Sequence, residues 1–196
     1  NTAYPGDDDH VTMDMLYGRF KDIIDNAESY TTSQDAMVNW HNMTTARGSK
    51  EVELVTGTGV TEGTKALKFP FGTIDTNKSV YWDYILPGRI DSKQFAGFNF
   101  DVYNPRKGGD VSYILELHMN NATGYIYNAG TPLLPGINKI RITEDLLKTY
   151  GTIDPKSIDY IRFKIMNKGT ATVNPLDGDH LIMDNFHGKP KLIYIP

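Results

Sequence analysis

The chain contains no cysteine, so neither disulfides nor thiolate metal sites can hold it together, and the sequence carries no mark of a redox compartment. It has no surplus of basic charge: 20 Lys and Arg stand against 24 Asp and Glu, a formal net charge of -4. No run of Lys or Arg is interleaved with aromatic residues, as a groove for phosphates would need. Nucleic acid is therefore not an expected partner. No apolar run is long enough to cross a bilayer as a helix. The five histidines, His10, His41, His118, His180 and His187, are scattered without HxH or HxxxH spacing, so no imidazole metal site is expected. There is no Gly-x-Ser-x-Gly elbow and no HExxH, and the glycine-rich stretch Gly57 to Gly63 lacks the Lys-Ser/Thr that a phosphate loop requires. Asn1 stands where a Met would open a chain, and the first residues read as the start of a processed or excised fragment.

What is present is enough for one core. The 196 residues are 39% hydrophobic, with 8 Phe, 12 Tyr and 2 Trp, which suits a single domain better than two very small ones. Short segments rich in Val, Ile, Tyr and Phe are separated by Gly, Pro, Asn and Asp, the punctuation of an all-β protein. Strands are predicted near Met37 to Thr45, Val52 to Thr56, Lys65 to Phe69, Val80 to Leu86, Phe95 to Tyr103, Val111 to Met119, Gly124 to Tyr127, Asn138 to Ile142, Tyr160 to Met166, His180 to Phe186 and Leu192 to Ile195. So many strands in one domain imply two packed antiparallel sheets. Turns are expected at Leu86-Pro87-Gly88-Arg89, at Asn104 to Gly109, at Leu134-Pro135-Gly136 and at Asp177-Gly178-Asp179. One helix is suggested by the spacing of Met15, Leu16, Phe20, Ile23 and Ile24, and a shorter one by Thr143 as N-cap before Glu144 to Tyr150. Residues 1–21, with the acidic patch Asp7 to Asp9, read as a linker or N-terminal extension, and 22–196 as the domain.

Alternation within strands sorts the side chains by face. Phe98, Phe100 and Val102 point one way, and Asn99, Asp101 and Tyr103 the other. Likewise Tyr113, Leu115, Leu117 and Met119 oppose Glu116 and His118, and Ile161, Phe163 and Ile165 oppose Arg162 and Lys164. If these strands share a sheet, its outward face carries carboxylates, an imidazole, a guanidinium and a tyrosine, a set suited to hydroxyl-rich ligands because each makes a directional hydrogen bond. The alternative is an ordinary solvated sheet face. An aromatic platform could be added by Val80 to Tyr84, where Trp82 shares a face with Val80 and Tyr84, and Tyr81 with Asp83. Trp82 and Tyr84 then form either the platform or the core, and if they are core the platform is Tyr81 beside Asp83. Tyr125 and Tyr127 could line an edge or loop site. As an enzyme, the chain could offer Asp101 and Glu116 as a glycosidase pair flanking a cleft.

The segments IIDNAESY with Trp40 a strand later, EGTKALKF, FAGFNFDVYNP, LPGINKIRI, IDPKSIDYIRFKI and LIMDNF occur in this order from about Ile23 to Phe186. In this succession the chain resembles the jelly-roll carbohydrate-binding modules of galactose-binding-like fold that are appended to secreted polysaccharide-degrading enzymes. The resemblance implies an all-β sandwich and a polysaccharide or cell-surface glycan as partner. It also implies a place in a larger extracellular, cell-surface or virion polypeptide or assembly. Members often hold a structural calcium joining the first strand to the last, and position by position this implies Glu28 and Asp184 as carboxylate ligands with carbonyls near Gly63 and Thr64. At the opening the chain has Asn26-Ala27-Glu28 where Asp-Phe-Glu is usual. The expected function is a non-catalytic carbohydrate-binding module. The same fold could instead serve as a phage-tail or cell-surface assembly module, or as a jelly-roll glycoside hydrolase.

Overall fold

A computed structural model describes residues 24–45, 48–106, 110–120, 122–169 and 179–191. Among them lie one short helix, α1 (Ser33–Asn39), and the strands β1 (Trp40–Asn42), β2 (Glu53–Thr56), β3 (Lys65–Pro70), β4 (Ser79–Ile90), β5 (Phe95–Asn104) and β6 (Val111–His118). These are followed by β7 (Tyr125–Pro132), β8 (Gly136–Thr143), β9 (Lys148–Tyr150), β10 (Ile158–Asn167) and β11 (His180–Pro190). They form a six-stranded sheet in the order β1-β4-β10-β6-β7-β9 and a five-stranded sheet in the order β2-β3-β11-β5-β8. All the pairings are antiparallel. The two sheets form the expected sandwich, each covering the apolar face of the other.

The period of two decides which residues meet inside. From the six-stranded sheet Trp82, Phe163, Leu115 and Leu117 turn inward, and from the five-stranded sheet Leu67, Phe69, Phe98, Phe100 and Met183 meet them. Phe69 is a joint between the layers: its ring lies 5.1 Å from Trp40, 5.3 Å from Trp82 and 5.1 Å from Phe163, separations at which edge-to-face and tilted aromatic pairs add to simple burial. In β11 the register slips between Asp184 and His187, where Asn185 takes φ 54°. This bulge sends Phe186 back to the core, 5.4 Å from Phe100, after Leu181 and Met183 have already pointed there.

Several local expectations change. Residues 33–39 are helical because Thr32 and Asp35 form a reciprocal capping box, which starts a helix before the strand can begin at Trp40. Glu144 to Leu146 make only a 3-10 turn, Thr143 offers no side-chain cap, and Lys148 to Tyr150 pair with β7 as an edge strand. Leu86 to Arg89 do not turn the chain. They remain in β4 as a wide irregularity, since Ile85 opposes Tyr160 while Ile90 opposes Ile158, and this loosened ladder accommodates Pro87 without its N–H. The helical spacing at Met15, Leu16, Phe20 and Ile23, the extension 1–21, Asp177, Gly178 and the strand Leu192 to Ile195 lie outside the described residues.

Trp82 is fully buried and its Nε1 donates to the Lys50 carbonyl at 3.0 Å. Trp82→Ala should therefore destabilise the domain by about 3–5 kcal/mol. Ile85→Ala, on the open side of the same strand, should cost under about 0.5 kcal/mol. Urea unfolding of the two variants measures the difference, and equal costs would contradict the assigned faces.

Candidate functional site

The outward residues of the six-stranded sheet fall into register across the strands. Tyr160 opposes His118, His118 opposes Tyr125, and Tyr125 opposes Tyr150, so β10, β6, β7 and β9 contribute to one row of rings. Asp83 opposes Arg162, Arg162 opposes Glu116, and Glu116 opposes Tyr127, which forms a parallel row about 7 Å away, two residues along each strand. A third row starts with Tyr81 opposite Lys164. Cross-strand neighbours stand close enough to touch, and here they do.

The rings of the first row are stacked along it. His118 lies 4.8 Å from Tyr160 with planes 4° apart and 4.9 Å from Tyr125 at 30°, and Tyr125 lies 5.1 Å from Tyr150 at 29°. Both faces of His118 and Tyr125 are thus covered by neighbouring rings, and His118 itself is buried in the row. Tyr150, at the sheet edge and 59% exposed, keeps its outer face open. Tyr127 meets Tyr125 edge-on at 5.6 Å, and the Arg162 guanidinium lies 4.1 Å over the Tyr81 ring.

The second row is charged yet balanced. Arg162 donates from Nε and Nη2 to the two Asp83 oxygens at 2.6 and 2.8 Å, and Lys164 donates to Glu116 Oε1 at 2.8 Å. Glu116 Oε2 lies 2.8 Å from His118 Nε2. Burial opposes the ionisation of Glu116, but the hydrogen bonds from His118 and Lys164 outweigh it and hold the carboxyl below its ordinary range. Burial also disfavours the Arg162 cation, and the Asp83 carboxylate overcomes that and raises it. Burial pushes the Tyr125 and Tyr160 hydroxyls up, so both are neutral donors at physiological pH. The face thus combines neutral hydroxyls, an imidazole and two pre-paired cations.

Of the residues singled out from the sequence, Tyr81, Asp83, Glu116, His118, Tyr125 and Arg162 converge on this face. Trp82 and Tyr84 do not: they are buried on the inner side of β4, because the alternation that exposes Tyr81 and Asp83 turns them into the core. Asn99, Asp101 and Tyr103 lie on β5 in the other sheet and point away on the opposite side of the sandwich. There Asn99 meets His187, and Asp101 meets Arg141 and Thr61. Asp101 and Glu116 therefore face away from each other across sheets packed about 10 Å apart, which removes them as a catalytic pair. Tyr150 and Tyr160 join the row without having been singled out. Their signal was the spacing of aromatics, readable only with the strand register.

The calcium ligands implied by the resemblance fit that role poorly as arranged. Glu28 Oε1 accepts from the backbone N–H groups of Thr64 at 2.8 Å and Lys65 at 2.7 Å, and Oε2 from Thr64 Oγ1 at 3.0 Å. Asp184 Oδ2 accepts from the Thr61 and Glu62 N–H groups at 2.6 and 2.9 Å, and Oδ1 from that of Asn185 at 2.7 Å. The carboxylates grip opposite ends of the 61–65 loop through N–H donors, where calcium needs six to eight converging oxygens. Among the described residues no three His, Asp or Glu side chains group around a common point.

No family model matches the chain, and no curated protein sequence is significantly similar to it. In fold it is similar to a family 11 carbohydrate-binding module from Clostridium thermocellum in complex with a β-1,3-1,4-mixed-linked tetrasaccharide (TM-score 0.60, 16% identity, 87% of this chain and 96% of that one). A family 11 module of a cellulosomal cellulase of the same organism gives TM-score 0.57 at 15% identity over 87% of this chain and 98% of that one. An exo-β-agarase gives 0.53 at 13% identity over 79% of this chain and 23% of that one. At such identities the likeness establishes the β-sandwich fold, and the ligand must be argued from the residues.

The Glu116 network has a pH signature. A glutamate held below its ordinary value of 4.5 contributes stability that is present above that value and lost as the pH falls through the lowered one. The parent should therefore lose more stability than Glu116→Gln as the pH drops from about 5 to about 3. Thermal unfolding at stepped pH reads this, and parallel curves for the two proteins would show that Glu116 is not held low.

Proposed function

We propose that the chain is a non-catalytic carbohydrate-binding module that holds a stretch of polysaccharide across the outward face of the six-stranded sheet. The observation that carries this reading is the row Tyr160, His118, Tyr125 and Tyr150. It spans four neighbouring strands, about 14 Å, and is flanked along its length by the row of paired charges. A linear glycan laid along the rings meets an amphipathic surface matched to its own: hydroxyls reach the tyrosine hydroxyls and the Arg162 and Lys164 head groups, while pyranose C–H groups pack on the open face of Tyr150 and on Tyr127. Both cations carry a carboxylate partner, so the face favours a neutral glycan over an acidic one. The tetrasaccharide bound by a module of similar fold makes a β-1,3-1,4-mixed-linked glycan the first ligand to try.

The same pairing argues against catalysis. Asp83 and Glu116 sit on either side of Arg162, two strand spacings or about 10 Å apart, near the separation of an inverting glycosidase. A general acid, however, must carry a proton at working pH. Glu116 is held ionised by Lys164 and His118, and Asp83 is tied by both oxygens to Arg162. A role as one module of a larger polypeptide accords with the exo-β-agarase, of which the similar fold covers 23%.

Calorimetric titration with soluble β-glucan, xyloglucan and an acidic polysaccharide tests the reading. One neutral glycan should bind saturably. Tyr150→Ala and Tyr125→Ala should each weaken binding about tenfold, roughly 1.4 kcal/mol, while Asn99→Ala on the opposite face should leave it unchanged. Binding that survives both tyrosine changes would move the site elsewhere, and folded protein that binds no glycan would end the proposal.

A further inference from the structure

The loop that opens the described chain is fastened to the sandwich by contacts that run in both directions. Glu28 sends its carboxylate to the backbone N–H groups of Thr64 and Lys65, and Lys65 sends its ammonium back to the carbonyls of Tyr30 at 2.6 Å and Glu28 at 3.2 Å. The carboxylate lies so close over Gly63 that a Cβ there would come within 2.5 Å of Oε1, and Gly63 itself has φ +70°. Nearby, Asp25 and Phe186 exchange backbone hydrogen bonds at 3.0 and 3.1 Å, which joins the opening segment directly to the last strand. The Asp25 carboxylate is held by Tyr30 Oη and Trp40 Nε1, each at 2.7 Å.

We propose that the Lys65 ammonium is the cation that ties this segment to the sandwich, beside Glu28, one of the residues at which the family resemblance implies calcium, and that the fold is stable without metal. Backbone carbonyls at residues 28 and 30 are hard oxygen ligands of the kind calcium takes, and here an ammonium on β3 occupies them. The carboxylate that would complete a metal shell is turned to N–H donors, whose positive ends repel a metal ion. A lysine stem delivers its charge covalently, so the clasp does not depend on the free calcium concentration. Calcium entry would require the ammonium to leave and the Thr64 and Lys65 amides to turn away, at the cost of the hydrogen bonds that orient Glu28.

The test is thermal unfolding of the parent protein in chelator and in millimolar calcium, together with Lys65→Met, which keeps the stem and removes the charge. The parent should melt at the same temperature in both buffers, and Lys65→Met should melt lower by about 5 °C, a shift typical of losing charged hydrogen bonds in a domain of this size. A melting temperature that falls in chelator overturns the proposal, as does one bound calcium per chain in elemental analysis of the purified parent, or a Lys65→Met protein as stable as the parent. Should Lys65→Met be recovered unfolded, its loss has the expected sign and the metal content of the parent decides. None of these readouts depends on glycan binding.

Discussion

Phe163 and Arg162 are neighbours in the chain and face opposite ways, and everything the six-stranded sheet can do depends on that alternation. Phe163 enters the aromatic joint around Phe69, while Arg162 reaches Asp83 on the open side. A slip of one residue in the register of β10 would carry Arg162 into the core and Phe163 to the surface. The cost of burying an unpaired guanidinium fixes the strand in place. Because β10 lies between β4 and β6, its register also fixes which of their residues stand beside Arg162 and Tyr160. Core packing thus sets the geometry of the outer face without contributing a single side chain to it.

The face is organised before any ligand arrives. Stacking along the row supports each ring from its neighbours, and the Asp83–Arg162 and Glu116–Lys164 pairs hold the long basic side chains that would otherwise be free to rotate. Such order lowers the conformational entropy lost on binding. The same pairing sets a carboxylate beside each of these two cations. The opposite face of the sandwich has a comparable inventory, with Asn99, Asp101, Arg141 and His187. Its groups are spent on fastening the 61–65 loop and the bulge in β11, and among the described residues no row of stacked rings lies there.

The chain's own sequence specified the two-sheet antiparallel sandwich, since runs such as Phe98 to Tyr103 and Ile161 to Met166 can bury one side only as strands with period two. It also showed that Arg162, Glu116 and His118 oppose apolar neighbours and so share the exposed side of their strands. What it did not show was strand adjacency. Asp101 and Glu116 obey the same alternation, yet β5 and β6 enter different sheets, so residues that look alike in the sequence end on opposite surfaces. Trp82 and Tyr84 had two faces open to them in a strand whose side chains are large on both sides, and burial against Phe69 and Trp40 decided between them. Tyr150 was misread because a local cap signal at Thr143 competed with pairing to Tyr125, and the long-range pair prevailed. Local pattern therefore determined which side chains are inside and which outside on each strand. Only the tertiary structure decided which outside residues become neighbours, because sheet order is set by contacts between segments tens of residues apart that no local period encodes.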